Sequence, residues 1–420
     1  MTNIEQLAKN AKTASYKISV LDTLHKNKAL FAIADILEDH KDEIFKNNLI
    51  DINKAKADGL SEALVDRLTL NESRFKEMVE GVRKVATLED PVGRIYEGRT
   101  LENGLSLYKK SVPFGVVGVI YESRPNVTVD IAALCLKSGN ACFLKGGKEA
   151  INTNVLLHSL ICTALETQGL DKNIVTFLNS TSREDVSTML TLDEYIDVLI
   201  PRGGVNLQRM CQRQSSIPVI IGGFGISHIF VDASANLEKS VKIVLNAKTQ
   251  KPSACNSLDT LLVHKDIAQS FIQKLTKALN GSKVSIVAFD KAYDLCKAFG
   301  YELLSKGQNG DFDTEYLSLK FNLAIVNDVT DAITHLRVHN ASHSDAILTD
   351  SLENAKLFTN NAGSACVYVN ASTRFSDGGQ FGLGAEVAIS TQKLHARGPM
   401  ALKELNTYQY VCSGDYLVRA

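Results

Sequence analysis

The spacing of apolar residues changes near residue 112. Before it, residues up to about 85 carry apolar positions at helical spacing beside charged faces, which predicts amphipathic helices. After it, short apolar runs alternate with amphipathic stretches. The predicted elements are strand 116–121, helix 127–137, strand 141–145, helix 152–167, strand 174–178, helix 183–190, strand 195–200 and helix 205–212. This alternation is typical of a parallel sheet with helices on both faces.

Two other segments alternate polar and apolar residues like exposed strands. The first is a hairpin with arms 94–100 and 105–110, joined through Asn103-Gly104, a strong turn signal. The second, 405–412, follows a helix-like stretch at 399–405. A lone strand and an isolated hairpin are each marginal. We therefore expect the late strand to join a sheet elsewhere, either at the hairpin or across a subunit interface.

Length and a second α/β series, from residue 226 to about 369, predict two domains. A chain of 420 residues is too long for one compact core. The sequence contains no Pro/Gly/Ser-rich linker. The domains are therefore expected to share a tight interface rather than move on a tether.

Composition is that of a soluble globular protein, with 45% apolar and 22% charged residues. A net charge of -1 gives no electrostatic basis for binding nucleic acid or an anionic membrane. The eight cysteines include no C-x-x-C pair, which predicts a reducing, cytoplasmic compartment. No signal peptide is expected, and the apolar runs are too short to span a bilayer.

Cys255 has a sequence setting that suits a nucleophile. Residues 251–257 form a short polar connection between a predicted helix at 237–247 and a predicted strand at 258–263. A thiol at the end of an element is reachable, and its thiolate is the reactive form. Four other cysteines lie inside apolar runs and are expected in the core: Cys135, Cys142, Cys162 and Cys366.

Three polar loops follow strands of the first predicted sheet, at 122–126, 145–149 and 201–204. In open α/β sheets, ligands bind beyond the carboxyl ends of the strands. The last two loops pair glycines with a cation ahead of a helix, which suits a phosphate. Each alone is more simply an ordinary turn, but together they favour a nucleotide. Neither G-x-G-x-x-G nor G-x-x-x-x-G-K-[ST] occurs.

His335, His339 and His343 are spaced by four residues, as metal ligands on one helix face could be. Asn340 and Ser342 favour an end to that helix before His343. We therefore expect no shared face and predict no metal site.

Several motifs together resemble the gamma-glutamyl phosphate reductase family, within the aldehyde dehydrogenase superfamily. They are the Cys255 loop, Ser123-Arg-Pro-Asn126, Lys145-Gly-Gly-Lys148, Pro201-Arg-Gly-Gly204, Phe381-Gly-Leu-Gly-Ala-Glu386-Val and His395-Ala-Arg397-Gly-Pro. The resemblance runs over nearly the whole chain. Residues 326–347 are similar to the family signature, with mild departures at Leu336, Asn340 and Ala341.

The resemblance implies an α/β, aldehyde-dehydrogenase-like fold: two doubly wound parallel-sheet domains plus a β oligomerisation arm. The expected parts are an NADP-binding domain at 1–94 and 111–225, a catalytic domain at 226–388, the arm at 95–110 and 405–420, and a return helix at 389–404. It also implies a homo-oligomer and functional coupling to glutamate 5-kinase.

Residue roles follow from the same resemblance. Cys255 is the expected nucleophile and Asn126 an oxyanion donor. The expected cofactor residues are Lys145 at the adenosine ribose, Lys148 at a 2′-phosphate, Glu315 at the nicotinamide ribose, and the loop residues Gly146, Gly147, Arg202, Gly203 and Gly204. A 2′-phosphate partner favours NADPH over NADH. The first substrate-binding candidates are Ser123 and Arg124. Arg374 and Arg397 are weaker ones, with surface ion pairing as the alternative.

The implied activity is NADPH-dependent reduction of L-glutamyl 5-phosphate to L-glutamate 5-semialdehyde, through a cysteine thioester, in proline biosynthesis. Hydrolytic aldehyde dehydrogenases carry a glutamate before a Gly-Gly pair ahead of the cysteine. Here the aliphatic residues 219–221 precede Gly222-Gly223. A site without that base suits a thioester that must not be hydrolysed. The alternatives are a CoA-acylating or hydrolytic aldehyde dehydrogenase, or a non-catalytic scaffold of this fold.

Overall fold

The computed structural model describes residues 3–222, 225–308, 310–339 and 341–419. The chain divides into two compact units. The first comprises Met1–Gly222, Gly382–Ala388 and Met400–Ala420, and the second comprises Gly223–Phe381 and Ile389–Pro399. The main boundary lies close to the predicted one at 225/226. The prediction that 226–388 form one continuous domain is wrong, because residues 382–388 belong to the first unit.

The first unit begins with helices, as the spacing of apolar residues predicts. The helices and the hairpin after them are α1 (Asn3–Ile18), α2 (Thr23–Asp39), α3 (Lys41–Ala57), α4 (Glu62–Leu68), α5 (Glu72–Thr87), β1 (Ile95–Thr100) and β2 (Ser106–Pro113). Asp22 and Asn71 cap α2 and α5 by accepting backbone N–H groups of the first turn.

A four-stranded parallel sheet forms the centre of this unit, in the order β5-β4-β3-β6. Its elements are β3 (Val116–Tyr121), α6 (Asn126–Lys137), β4 (Ala141–Lys145), α7 (Ile151–Thr167), β5 (Val175–Phe177), α8 (Arg183–Met189), β6 (Val198–Arg202) and α9 (Val205–Gln214). The predicted alternation is confirmed. Strand β6 includes Pro201 and Arg202, which the sequence had placed in the following loop.

The second unit is built on a seven-stranded parallel sheet in the order β10-β9-β11-β8-β7-β12-β13. Its elements are β7 (His228–Val231), α10 (Leu237–Thr249), β8 (Thr260–His264), α11 (Ala268–Leu279), β9 (Ser285–Ala288), α12 (Asp290–Ala298), β10 (Leu304–Lys306), β11 (Lys320–Val326), α13 (Val329–Val338), β12 (Ser344–Leu348), α14 (Leu352–Asn361) and β13 (Cys366–Val369).

Alternate residues of these strands enter two separate hydrophobic clusters. On β7, Ile229 and Val231 pack with Phe271 of α11, whereas Phe230 packs with Phe358 of α14. Because successive strand residues point to opposite faces, both faces of the sheet are covered by helices. This arrangement confirms the doubly wound prediction for the second unit.

Residues 389–404 do not form the predicted return helix. They contain most of β14 (Ala388–Ser390), all of β15 (Gly398–Met400) and the start of a short 3-10 turn at Lys403–Leu405. Gly398 has φ 81, in the left-handed region, and Pro399 has no N–H to donate to a helix. The stretch predicted as helical at 399–405 is therefore broken at its start.

The last strand, β16 (Asn406–Ser413), joins the early hairpin. It pairs antiparallel with β2 from Asn406 opposite Pro113 to Ser413 opposite Ser106, and β1 lies on the other side of β2. The prediction that the late strand completes the hairpin sheet is confirmed within one chain. Among the described residues, no helix is both long and apolar enough to cross a bilayer.

Candidate functional site

Cys255 lies in the connection between α10 and β8 and is half-buried. Hydrogen bonds on both sides of it fix the loop: Ala254 N–H donates to Lys251 O at 3.1 Å, and Ser257 N–H donates to Ala254 O at 3.0 Å. A half-buried thiol in a fixed loop is reachable and still held in place, as a nucleophile requires.

The other cysteines differ in burial and acidity. Burial raises the pKa of the Cys162 and Cys211 thiols to about 11 and that of Cys296 to about 12, so these thiols stay protonated near neutral pH. Cys135, Cys142 and Cys366 are buried, as predicted, whereas Cys162 is only half-buried and Cys412 is exposed.

Asn256, next to Cys255, ties this loop to a 3-10 turn at Thr373–Phe375. Its side-chain amide donates to Ser376 O at 2.8 Å and to Arg374 O at 3.4 Å, and the Thr373 hydroxyl donates to Asn256 O at 2.7 Å. Asn256, Thr373 and Ser376 are buried. The cysteine loop and this turn are therefore held together by hydrogen bonds shielded from water.

The same turn places Arg374 against the cysteine loop. Its Nε donates to Gln250 Oε1 at 2.8 Å, just before the loop. Burial lowers the pKa of Arg374, and the charges of Cys255 and Asp377 oppose that effect. A guanidinium whose charge acts on a cysteine favours the thiolate form of that cysteine. Arg397, the other weaker substrate candidate, is exposed and donates to Gly363 O.

A buried polar network connects this turn to the start of β12, within the second unit. Ser376 Oγ lies 2.5 Å from Ser344 Oγ, and Ser344 Oγ lies 2.8 Å from Nδ1 of the fully buried His343. Burial lowers the pKa of His343 to about 4; Asp345 opposes that shift and Arg374 adds to it. His343 is thus neutral in the folded protein at neutral pH.

We expect His343 to make the protein less stable in acid. The folded chain binds fewer protons than the unfolded chain between about pH 4 and the ordinary histidine value of 6.5, so stability is full above 6.5 and is lost as pH falls. The difference corresponds to about 3 kcal/mol. Urea midpoints followed by circular dichroism should fall less steeply with acid in His343→Asn than in the wild type. Identical slopes would contradict this, and His40→Asn, at a half-buried histidine that caps the end of α2, is the control.

In the first unit, Asn126 begins α6, and its side-chain amide donates to Asp130 Oδ2 at 2.8 Å. Burial raises the pKa of Asp130 to about 6, opposed by this hydrogen bond and by the positive charges of Arg202 and Arg124. The structure thus groups three predicted site residues, Asn126, Arg124 and Arg202, around one carboxylate that the sequence analysis missed. An amide has two N–H donors, so Asp130 fixes its orientation through one of them.

Two of the three polar loops, 122–126 and 145–149, are also connected here. Ser123 donates to Glu149 Oε1 through its backbone N–H at 2.6 Å and its hydroxyl at 2.8 Å. Two lysines precede Glu149 in this loop. Lys148 is exposed, whereas Lys145 is buried and its Nζ donates to Gly146 O at 2.6 Å. Burial lowers the pKa of Lys145, against the charge of Glu149. The Ser123 hydroxyl proton is therefore engaged by Glu149 rather than directed at a substrate.

Two glycines in these loops have no room for a side chain. A Cβ on Gly146 would collide with Asn154 Nδ2 and would lie 3.2 Å from two Tyr121 ring atoms, and one on Gly203 would lie 2.5 Å from Glu122 Oε2. Asn154 Nδ2 is buried and has no hydrogen-bond partner among the described residues. Bare backbone, a cation and an unused buried donor fit a nucleotide phosphate or ribose.

Gly146→Ala should destabilise the protein by about 1–3 kcal/mol, because the new methyl group meets two buried, fixed side chains. Gly204→Ala is the matched control. Its Cβ would have no neighbour nearer than 4.0 Å, and its φ of -64 and ψ of 170 suit alanine. Thermal unfolding midpoints compare the two variants, and an equal effect of both would contradict the packing explanation.

Glu315 lies in the second unit, between a 3-10 turn at Asp311–Asp313 and β11. Its charge acts on the buried Lys248, whose pKa is lowered to about 8 mainly by burial. Its neighbour Tyr316 donates its backbone N–H to Asp259 Oδ1 at 3.1 Å. In the aliphatic segment 219–221, which precedes Gly222-Gly223, Ile220 is buried. Gly223 and Phe224 lie outside the described residues.

The helix that contains His335 ends at Val338, so His343 falls outside it as predicted. The rings of His335 and His339 lie 4.4 Å apart and pack against Phe312. Asn340 lies outside the described residues. In the part of the chain that is described, no group of three His, Cys, Asp or Glu side chains could hold a metal ion.

Similarity to known proteins covers nearly the whole chain. Residues 1–295 match the aldehyde dehydrogenase family model. Gamma-glutamyl phosphate reductase from Photobacterium profundum is 54% identical over 99% of this chain and 100% of its own length, and that from Vibrio atlanticus is 56% identical over 97% and 98%. The crystal structure of gamma-glutamyl phosphate reductase from Thermotoga maritima is 42% identical, with a TM-score of 0.96 over 100% of both chains. The chain therefore belongs to the gamma-glutamyl phosphate reductase family, within the aldehyde dehydrogenase family.

Proposed function

We propose that this protein uses NADPH to reduce L-glutamyl 5-phosphate to L-glutamate 5-semialdehyde and releases phosphate, as a step of proline biosynthesis. The observation that carries the proposal is identity of 54–56% over nearly the full length to gamma-glutamyl phosphate reductases. The half-buried Cys255 in a fixed loop supports it, because acyl transfer through a thioester needs a reachable thiolate.

In the first step, the Cys255 thiolate attacks the acyl carbon of the substrate. A C–S bond forms, the C–O bond to phosphate breaks, and the phosphate leaves with the bonding electron pair and takes up a proton from water. The N–H of the Asn126 amide that is not used by Asp130 stabilises the developing oxyanion, together with a backbone N–H near the cysteine.

The loops at 145–148 and 202–204 would hold the cofactor, with Glu315 at its nicotinamide ribose. The chemistry the reduced nicotinamide supplies is a hydride for the acyl carbon. Cys255 would then carry the oxyanion of a thiohemiacetal. As the C=O bond re-forms, the C–S bond breaks, the thiolate of Cys255 is regenerated and the aldehyde is released. Residues 219–221 supply no base to activate water, which protects the thioester from hydrolysis.

Steady-state oxidation of glutamate 5-semialdehyde, followed by absorbance of reduced nicotinamide, tests the proposal. The purified protein should reduce NADP only when phosphate is added. Reduction with CoA in place of phosphate, or with water alone, would move the protein to another aldehyde dehydrogenase activity. Absence of reduction with either nicotinamide cofactor would favour a non-catalytic scaffold.

Lys148→Ala should weaken the binding of NADPH without affecting the binding of NADH. Lys148 is exposed at the start of a short 3-10 turn, where its charge can meet a 2′-phosphate. Losing a hydrogen bond to a charged group costs about 1.5–3 kcal/mol, or roughly 10- to 100-fold in KM for NADPH. Lys56→Ala, at an exposed lysine on α3, is the control. Equal changes in KM for both cofactors would contradict a role at the 2′-phosphate.

We further propose that the three-stranded sheet of β1, β2 and β16 is an oligomerisation arm. It exposes large apolar side chains, including Ile95, Tyr408 and Tyr410, and β16 is an edge strand of the sheet. Exposed apolar groups beside an open edge suit contact with a second copy of the chain. A homo-oligomer, a cytoplasmic location and functional coupling to glutamate 5-kinase stay predictions.

A further inference from the structure

Arg374 is a cation that acts electrostatically on Cys255, and its position is fixed from both sides of the cysteine loop. Gln250, before Cys255, accepts from its Nε at 2.8 Å, and Asn256, after Cys255, donates to its carbonyl oxygen at 3.4 Å. Thr373 and Ser376, on either side of the arginine, add hydrogen bonds to Asn256. A short turn would not need this buried anchoring if its Arg374 were an ordinary surface cation.

The shape of the guanidinium suits an anion at this position. With Nε directed at Gln250, the two Nη groups remain to form the planar fork that binds phosphate oxygens bidentately. Asp377, the neighbouring carboxylate, accepts the backbone N–H groups of Gly379 and Gln380 at 2.9 and 3.1 Å. Its charge is therefore partly satisfied by its own turn, and Arg374 is not neutralised by a close ion pair with it.

We propose that Arg374 binds the phosphoryl group of the acyl phosphate and holds Cys255 as a thiolate. The inference rests on the proposed function. One bridging oxygen separates the phosphorus from the carbon that Cys255 attacks, whereas the alpha-carboxylate is at the other end of the carbon chain. A cation that is hydrogen-bonded to both flanks of the cysteine loop and acts electrostatically on Cys255 therefore faces the phosphoryl end. Arg374 also stabilises the phosphate as it departs. The sulfur loses its negative charge when its lone pair forms the new C–S bond.

The test compares Arg374→Gln and Arg374→Lys with the wild type in the direction of semialdehyde oxidation. Arg374→Gln should raise KM for phosphate about 10- to 100-fold, while KM for the semialdehyde stays nearly constant. Arg374→Lys, which keeps the charge but loses the fork, should recover part of the loss. Arg337→Gln, on α13 and paired with Asn361 at 3.0 Å, is the control.

Alkylation of Cys255 by iodoacetamide at neutral pH gives a second readout that does not depend on the reductase reaction. Arg374→Gln should react more slowly than the wild type and Arg374→Lys, because less of the thiol is ionised. The other titratable groups that interact electrostatically with Arg374 are Asp377 and His343, and both are unchanged in the two variants. Thermal unfolding verifies that each variant is folded.

The outcomes separate this inference from the proposed function. If the wild type requires phosphate but Arg374→Gln keeps its KM for phosphate, the phosphoryl assignment is wrong and the reductase activity stands. A rise in KM for the semialdehyde alone would place Arg374 at the alpha-carboxylate and also overturn it. If the wild type does not require phosphate, the proposed function itself fails. Unchanged alkylation in folded Arg374→Gln would overturn the thiolate role.

Discussion

Cys255→Ser is expected to lose at least about 10⁴-fold in turnover, as removal of a covalent nucleophile does in other enzymes. A serine hydroxyl of similar size is far less ionised than a thiol at neutral pH. The fold should survive, because Cys255 is only half-buried and its loop is fixed by backbone bonds and by Asn256.

Cys412→Ser is the control for this experiment, because Cys412 is exposed on the arm strand β16. Its turnover should match the wild type. Turnover of Cys255→Ser within a few-fold of the wild type would remove the thioester from the mechanism and with it the proposed role of Arg374.

Asn126→Ala is expected to lower kcat by about 100- to 1000-fold, the usual cost of removing one oxyanion donor. The loss should fall on kcat rather than on KM, because the interaction strengthens only as negative charge develops on the oxygen. Steady-state kinetics with varied phosphate and semialdehyde separates the two parameters.

Asn47→Ala provides the matched control for this second prediction. Asn47 is a surface asparagine on α3 whose amide donates to Glu43 O at 3.0 Å within its own helix. A kcat near the wild-type value for Asn126→Ala would assign the oxyanion contact to backbone N–H groups alone. A change in KM without a change in kcat would make Asn126 a binding group instead.

Most of the strand and helix order could be predicted because it depends on local spacing. Strand β3 was predicted over the residues it occupies, and the alternation that follows it defined the first parallel sheet. The assignment of residues 382–388 to the first unit could not be predicted in this way. It depends on contacts distant in sequence, such as the close approach of Gly384 to Leu88. The return helix expected at 389–404 does not form, because Gly398 has a left-handed φ and Pro399 has no N–H to donate.

The features of the candidate site that follow from local sequence could also be predicted, whereas those that depend on distant contacts could not. Its loops and Cys255 could be named from short motifs that follow or precede predicted elements. Asp130 was missed although a signal was available, because residues four apart on a helix are neighbours and Asn126 begins α6. The anchoring of Arg374 was not accessible from sequence, since Asn256 reaches Arg374 and Ser376 across 118 and 120 residues.

The most direct test of the central claim is a single-turnover measurement with glutamate 5-semialdehyde and NADP in the absence of phosphate. If phosphate resolves the Cys255 thioester and water does not, we expect a burst of reduced nicotinamide equal to the number of active sites. The reaction should then halt until phosphate is added. The peptide containing Cys255 should carry the acyl group during the halt. Continuous reduction without phosphate, or no burst and no acylated Cys255, would contradict the mechanism.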